Sequence, residues 1–142
     1  MKEPIMQPSA IEKTLSANDT GETGGHQAGI LVPKEGGILP FFPALDTSLK
    51  NPRAVLDLVD DDEHEWTFSF IYYNNRFFGG TRNEYRLTGM TAFFRRFNLK
   101  TGDRVILRRE SPRLIRITFN RAQAKGKVLK LSASWKIIET DF

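Results

Sequence analysis

The chain contains no cysteine. This absence excludes a disulfide framework, a thiolate zinc site and a cysteine nucleophile, and it suits a reducing cytoplasm. Histidine is almost as scarce, because His26 and His64 are the only two and lie too far apart in the sequence to suggest a pair for metal or phosphoryl chemistry. No apolar run approaches the roughly twenty residues of a membrane helix, and residues 1–10 lack the apolar stretch of a secretory signal, so we expect no membrane partner.

The sequence also lacks the usual motif of a nuclease active site. Many restriction nucleases hold Mg²⁺ with an Asp and a second acidic residue that is followed, one residue further on, by Lys. No lysine of this chain has Asp or Glu two positions before it. The acidic segment 60–65 has the oxygen ligands of a hard cation site, but no basic residue lies nearby to complete a phosphodiester site, so we interpret it as a surface turn. We therefore predict no catalytic residue, no metal site and no cofactor for binding.

The net charge of +4 is distributed unevenly. Residues 1–75 carry five basic and twelve acidic side chains, a net charge of −7, whereas residues 76–142 carry sixteen and five, a net charge of +11. A segment this basic attracts polyanions. A solvated basic surface without a ligand would have the same composition, so charge alone leaves both interpretations open.

Hydrophobic periodicity predicts a mainly β (α+β) domain, a small barrel or sandwich with two short helices. Residues 1–10 are expected to form a flexible leader and residues 11–142 the domain. The alternation of Trp66, Phe68, Phe70 and Tyr72 is the strongest strand signal and points to a core strand. Strands are predicted over 11–16, 30–32, 54–59, 66–73, 84–88, 104–109, 113–119 and 128–138, and helical turns over 36–42 and 92–97. The second helix would have Met90, Phe93, Phe94 and Phe97 on one face and Thr88 or Thr91 as its N-cap.

Two polar loops contain glycine and hydrogen-bonding side chains, over 17–29 and 74–83. After the second loop, Arg82, Glu84 and Arg86 would share one face of a strand with about 6–7 Å between neighbours. Arginine matches guanine, and glutamate accepts from the cytosine amino group. An exposed ladder of Arg–Glu ion pairs with little effect on stability would have the same spacing, so the residues alone do not separate the two interpretations.

Three segments form a recognisable pattern: 13–29 (KTLSANDTGETGGHQAG), 71–74 (IYYN) and 79–88 (GGTRNEYRLT). Together they resemble the N-terminal effector-binding domain of EcoRII-type restriction endonucleases. Residues 93–103, ending in LKTGD, resemble the helix and turn of plant DNA-binding pseudobarrel transcription factors. The resemblance covers about residues 13–109. It implies a pseudobarrel of seven or eight strands whose N-arm (residues 13–31) and C-arm (residues 74–86) enter the major groove of double-stranded DNA.

The resemblance also implies which residues contact DNA. The family's contact positions fall on Lys13, His26, Arg82, Glu84 and Arg86, and its site is of the type CCWGG, where W is A or T. Arg82 and Arg86 would then recognise guanines, and Glu84 would recognise cytosine. Our candidate set also includes other residues of the two arms: Ser16, Asn18, Asp19, Thr20, Gly21, Thr23, Gly25, Gln27, Asn74, Asn75, Arg76, Asn83 and Tyr85.

This chain departs from the family at three positions of the arms. Gly80 and Tyr85 stand where the family has lysine, and Leu31 stands where it has tyrosine. Each change removes a phosphate or groove-edge contact, which Arg76 and the basic strands further on would offset. Because Arg82, Glu84 and Arg86 are kept, we expect the recognised sequence to be unchanged.

A whole endonuclease would need a separate catalytic domain, for which 142 residues leave no room. We therefore expect a monomeric, non-catalytic targeting domain of a prokaryotic cytoplasmic enzyme. Its partners would be duplex DNA and a C-terminal nuclease domain of the parent chain, and Mg²⁺ would serve only that nuclease domain. Three alternatives stay open: a free-standing transcription regulator of the same fold, an independent nuclease, and a single-strand or RNA binder that uses its aromatic rings as stacking platforms.

Overall fold

The computed structural model describes residues 7–21, 29–122 and 134–141. These residues form eight strands and two short α-helices, with 3-10 turns at Leu39–Phe41 and Asn75–Phe78. The helices are α1 (Ala17–Thr20) and α2 (Thr91–Arg96). The strands are β1 (Gln7–Thr14), β2 (Ile30–Val32), β3 (Arg53–Val59), β4 (Glu65–Tyr73), β5 (Glu84–Thr88), β6 (Arg104–Ser111), β7 (Leu114–Asn120) and β8 (Trp135–Asp141).

All eight strands belong to one sheet in the order β2-β5-β4-β3-β7-β6-β1-β8. Neighbouring strands are antiparallel except β3 and β7, which run parallel where Leu58 faces Ile115. The two outermost strands also approach each other, since the indole Nε1 of Trp135 in β8 donates to the Leu31 carbonyl in β2 at 2.8 Å. The sheet therefore curls into a nearly closed barrel, and the prediction of a mainly β pseudobarrel with two short helices is confirmed.

The inward face of β4 forms much of the barrel core. Phe68 and Phe70 are each 1% exposed, and the half-buried Trp66 packs edge-on against Phe93 of α2, with ring centroids 5.2 Å apart. The period-two pattern of this strand is thus a core pattern, because alternate residues of a strand point to the same side of the sheet. Phe68 and Phe70 are not available as stacking platforms for single-stranded nucleic acid.

Helix α2 covers one end of the barrel with the face that the sequence predicts. Met90, Phe93 and Phe94 are buried, and Phe97 packs against the same cluster. Its predicted cap is wrong, because Met90 occupies the N-cap position and provides no side-chain hydrogen bond. Thr88 is instead part of β5, where its hydroxyl donates to the Ser69 carbonyl.

Some element boundaries also differ from the sequence expectation. β1 begins at Gln7, so residues 7–10 of the expected leader pair with the barrel, and Ala10 is fully buried. Residues 17–20 form a helical turn rather than open loop. Residues 1–6 of the leader and 128–133 of the last predicted strand lie outside the described part of the chain. Within that part, no helix is long and apolar enough to span a membrane.

Candidate nucleic-acid interface

The two arms leave the barrel at opposite ends of β5. The C-arm joins β4 to β5, with Tyr73 paired to Glu84 where the arm begins and ends. The N-arm enters β2 at Ile30, which faces Leu87 near the far end of β5. Five residues of strand span about 13 Å, close to the roughly 12 Å width of the B-DNA major groove. The points where the two arms join the sheet are therefore separated on the scale of one groove.

The C-arm is closed on itself by Asn75. The Asn75 side-chain oxygen accepts from the Arg82 backbone N–H at 2.6 Å, and its carbonyl accepts from the Gly80 N–H at 2.7 Å. The Arg76 N–H completes the loop by donating to the Arg82 carbonyl at 2.9 Å. A Cβ atom at position 80 would lie 2.7 Å from Cγ of Asn75, too close for this clasp. Glycine at position 80 thus leaves room for the Asn75 side chain.

Three charged side chains lie in a row at the end of this arm. Arg82 donates to Oε1 of Glu84 from Nη2 at 2.7 Å and from Nε at 3.1 Å, and Arg86 donates from Nε to the same oxygen at 3.2 Å. The Arg86 Nη2 reaches Oε2 at 3.3 Å, and its Nη1 donates to the Gly29 carbonyl of the N-arm at 3.0 Å. The Arg82 guanidinium also stacks 3.8 Å from the centre of the Tyr73 ring. We call Arg82, Glu84 and Arg86 the charged triad.

The triad is partly open to solvent and already oriented. Its side chains are 38%, 28% and 20% exposed for Arg82, Glu84 and Arg86. The hydrogen bond from Arg86, together with that from Arg82, holds the pKa of the Glu84 carboxyl below its ordinary value, although partial burial acts the other way. Glu84 therefore stays an anionic acceptor between two cations. The predicted common face is confirmed, and the ladder of ion pairs is present, but a ladder of this kind does not exclude contact with bases.

Two candidates beside the triad have packing roles. Tyr85 alternates to the inner side, where its ring stacks on Tyr72 with centroids 4.1 Å apart and on Phe70 at 5.6 Å. Burial, and then the neighbouring Tyr72, raises the pKa of the Tyr85 hydroxyl. Asn83 accepts a short hydrogen bond from the Tyr72 hydroxyl. Both residues thus support the strand that carries the triad.

Asn74 was predicted to contact DNA, and its burial contradicts that prediction. Its side chain is fully buried, so a duplex cannot reach it in this conformation. Its Oδ1 accepts from the Asn51 N–H at 2.7 Å, its Nδ2 donates to the Leu49 carbonyl at 2.8 Å, and its own N–H donates to Oδ1 of Asn51 at 3.2 Å. Asn74 therefore fixes the base of the C-arm to the turn before β3.

The base of the N-arm is likewise held by residues that we expected at DNA. Lys13 and Asp19 form an ion pair at 3.1 Å with side chains only 8% and 9% exposed. Ser16 and Asp19 form a reciprocal capping box at the start of α1, with hydrogen bonds of 2.9 and 3.1 Å. Lys13, Ser16 and Asp19 thus stabilise the base of the N-arm. Their polar atoms are buried or bonded to one another.

The other N-arm candidates are exposed or half-buried, or lie outside the described residues. Asn18 is exposed, the Thr20 hydroxyl donates to the Ala17 carbonyl at 3.2 Å, and Gly21 ends α1 with a left-handed φ of 85°. Four candidates lie outside the described residues and stay predictions: Thr23, Gly25, His26 and Gln27.

Residues 60–64 of the acidic segment form the expected turn between β3 and β4, and Glu65 begins β4. The Asp60 carboxylate accepts from the backbone of Asp62 and His64 and from the indole of Trp66, at 2.8 to 3.0 Å. Among the described residues, no three His, Asp or Glu side chains are grouped so as to hold a metal ion. The oxygen atoms of Asp60 are used to shape the turn.

Sequence reasoning missed two aromatic side chains on the C-arm. Phe77 and Phe78 are 65% and 44% exposed, beside the exposed Arg76. The signal was present, since two adjacent aromatic residues in a polar loop between Asn75 and Gly79 have no strand alternation to bury them. They give the arm an apolar end next to a cation.

Comparison with known proteins gives consistent likenesses. Residues 7–110 match the family "Restriction endonuclease EcoRII, N-terminal". The type II restriction enzyme EcoRII of Escherichia coli is 43% identical over 79 residues, which are 54% of this chain and 19% of that protein. Auxin response factor 3 of Arabidopsis thaliana is 33% identical over 130 residues, 90% of this chain and 19% of that protein. Auxin response factor 5 of the same plant is 31% identical over 120 residues, 84% of this chain and 12% of that protein.

The chain therefore spans about a fifth or less of the length of these relatives. The resemblance to EcoRII-type N-terminal domains is confirmed, and so is the one to plant proteins. The likeness to the auxin response factors extends over more of the chain than the stretch shared with the bacterial enzyme.

Proposed function

The chain belongs to the family of EcoRII N-terminal domains, and we propose that it binds double-stranded DNA of the type CCWGG, with both arms in the major groove. The family match and the likeness to auxin response factors support DNA binding. The charged triad is the observation that supports the sequence preference, because it presents two guanidinium groups and one carboxylate in fixed order at the start of β5.

The chemistry of the triad suits a run of guanine and cytosine. Arginine donates two hydrogen bonds to O6 and N7 of guanine, whereas a carboxylate accepts from the cytosine N4 amino group. Arg82 uses Nε and Nη2 within the protein, which leaves its Nη1 group for a ligand. Glu84 orients both arginines before DNA arrives, so less side-chain freedom is lost on binding. Phe77 and Phe78 add apolar surface for a thymine methyl group.

We further propose that the domain binds as a monomer, without a cofactor, and does not cleave DNA. In a longer parent chain, a separate nuclease domain would supply the Mg²⁺-dependent chemistry, as the family name suggests. The sequence of this chain has no acidic residue two positions before a lysine to support such chemistry. Incubation of the pure chain with Mg²⁺ and a CCWGG duplex tests this part, and nicking of the duplex would contradict it.

The sequence preference is tested at Glu84. We expect Glu84→Ala to weaken binding to a CCWGG duplex by about 1–3 kcal/mol, and discrimination to relax at one base pair while the other positions keep theirs. Binding to a random duplex should stay level or rise, since a negative charge has been removed. The measurement is a titration at one fixed salt concentration against cognate, single-substitution and random duplexes.

Glu110→Ala is the matched control. Glu110 accepts from Arg116 at 2.9 Å, so it has the same arginine-bound chemistry, but it lies in β6, away from the arms. This control should leave all duplexes unchanged. If Glu84→Ala shifted cognate and random duplexes by the same amount, the triad would be a surface ion-pair ladder and the proposed sequence preference would be wrong.

A second candidate function is that of a transcription regulator built on the same barrel. It is favoured by the alignment with auxin response factor 3, which extends over 90% of the chain. Selection of bound duplexes from a random pool separates the two. Enrichment of CCWGG supports the restriction-enzyme function, and enrichment of an unrelated sequence supports the regulator.

A further inference from the structure

Five basic side chains surround the turn between α2 and β6. Arg95 and Arg96 end the helix, Lys100 lies in the turn, Arg104 begins β6 and Arg121 follows β7, and all five are exposed. Among the described residues none of the five forms an ion pair, whereas Arg108 and Arg116 on the same two strands are each paired with glutamate. We call these five residues the α2 cation cluster.

Strand pairing and hydrogen bonds join the elements that carry the cluster. Arg104 faces Asn120, the residue before Arg121. The Arg121 guanidinium donates to the carbonyls of Phe97 and Asn98 at 2.7 and 3.4 Å, which fixes it to the end of α2. The elements that carry the cluster therefore meet at one end of the barrel.

Asp103, in the turn between α2 and β6, does not form an ion pair with any member of the cluster. Asp103 is buried, and its oxygens accept from the backbone N–H groups of Lys100 and Ala122 at 2.8 and 2.7 Å. Its charge is committed to holding the turn. Among the described residues, no carboxylate forms an ion pair with any of the five cations, and all five are exposed.

Helix capping explains only part of this charge. Arginines in the last turn of a helix interact favourably with the helix dipole, and Arg121 satisfies carbonyls that the helix leaves open. Lys100 and Arg104 lie beyond the helix and have no such role.

The cluster adjoins the base of the N-arm. Thr14, the last residue of β1, faces Arg104, and the Gly102 N–H donates to the Leu15 carbonyl at 2.9 Å. The Leu15 N–H in turn donates to the Asp103 carbonyl at 2.9 Å. The basic surface thus continues directly from the start of the N-arm, at the end of the barrel opposite to the C-arm.

We propose that the α2 cation cluster binds the phosphate backbone of the duplex that extends past the N-arm, beyond the recognised sequence. This inference rests on the proposed function, because it takes the N-arm to lie at the groove. The cluster would then lengthen the protein's footprint on one side of the site and contribute affinity that does not depend on sequence.

The test varies the length of the duplex together with the charge of the cluster. The cluster variant is Arg95→Gln/Arg96→Gln/Arg104→Gln, which keeps Arg121 as the cap of α2. Both proteins are titrated with a short cognate duplex that ends about two base pairs past the site and with one that continues for a full helical turn, about ten base pairs. We expect the wild-type protein to bind the long duplex more tightly than the short one, and the cluster variant to lose this gain.

The salt dependence of binding gives the expected size of the effect on DNA affinity. Each phosphate contact contributes about 0.9 to the slope of log K against log salt, so loss of three contacts lowers the slope by roughly 2.7. Between about 50 and 200 mM salt, the affinity of the wild type for the long duplex should therefore fall up to about 40-fold further than that of the variant. The preference for cognate over scrambled duplex should be the same in both.

Single substitutions locate the effect and guard against loss of folding. Arg104→Gln and Arg113→Gln remove exposed charges at opposite ends of the β6–β7 hairpin, which lie about 23 Å apart along an eight-residue strand. Only Arg104→Gln should reduce the gain from flanking duplex. Equal losses from both, or an unchanged gain in the cluster variant, would contradict the proposal.

A wild type without cognate preference would instead refute the proposed function, and the length dependence could still be measured on random duplex.

Discussion

The two arms are attached to the same barrel by different chemistry. At the base of the N-arm, Lys13 and Asp19 form an ion pair that is more than nine-tenths buried. The C-arm is fixed by neutral amides, Asn74 at its base and Asn75 across the loop, and its charged triad remains partly exposed. Charged residues thus hold one arm in place, whereas in the other they are presented to solvent.

Burial therefore separates residues that look alike in the sequence. Lys13 and Arg82 are both basic residues at positions where the family resemblance predicts DNA contact, yet Lys13 is enclosed and Arg82 is open. A buried charge is costly to leave without its partner, whereas an exposed pair has a small effect on stability because water and salt screen it. The comparison predicts that substitutions at the arm bases affect folding and that substitutions in the triad affect binding.

The largest effect on stability is expected for Lys13→Met. This change leaves the buried Asp19 carboxylate without its ion-pair partner and should lower the free energy of unfolding by about 3–5 kcal/mol. Arg82→Gln, at the exposed pair, should cost no more than about 1 kcal/mol. Urea denaturation of both variants makes the comparison, and similar values for the two would remove the distinction between the arms.

A smaller loss is expected for Asn74→Ala at the base of the C-arm. The substitution leaves the Asn51 N–H and the Leu49 carbonyl without their partner, which should lower the free energy of unfolding by about 2 kcal/mol. The exposed Asn120, at the end of β7, is the control, and Asn120→Ala should change stability by less than about 0.5 kcal/mol. If Asn74→Ala folded as stably as the wild type but bound DNA poorly, Asn74 would be a contact residue after all.

The smallest expected effect is the pH dependence of the stability that the triad contributes. A carboxyl whose pKa is lowered on folding stabilises the protein when ionised, so the contribution of Glu84 is complete above the ordinary glutamate pKa. It is lost as the pH falls through the lowered folded-state value. Because the triad is partly exposed, we expect less than about 1 kcal/mol.

The measurement compares wild type and Glu84→Gln by urea denaturation from about pH 7 to pH 3. The stability difference between them should shrink as the pH falls, since protonated glutamate resembles glutamine in charge. A difference that stayed constant or widened toward low pH would show that the ion pairs of Glu84 do not stabilise the fold.

Local sequence patterns predicted the elements well where one periodicity prevailed. The alternation of β4 and the apolar face of α2 both appear as expected, because burial of every second or every third to fourth residue is recorded directly in the sequence. Positions where side chains could form hydrogen bonds with the backbone at a helix end were predicted less well. The capping box of Ser16 and Asp19 turned an expected loop into a helical turn, and Thr91 did not cap α2.

The amino-acid sequence by itself determined the family, the barrel class and the common face of Arg82, Glu84 and Arg86, since each depends on local order or on residue identity. Only the tertiary structure decided which polar residues are accessible. Asn74 became part of the framework because a distant turn folds against it, and Lys13 because it is enclosed with its partner Asp19. The α2 cation cluster formed because β6, β7 and α2 meet at one end of the barrel. Burial and proximity between distant segments arise from the folded chain as a whole, and no local pattern records them.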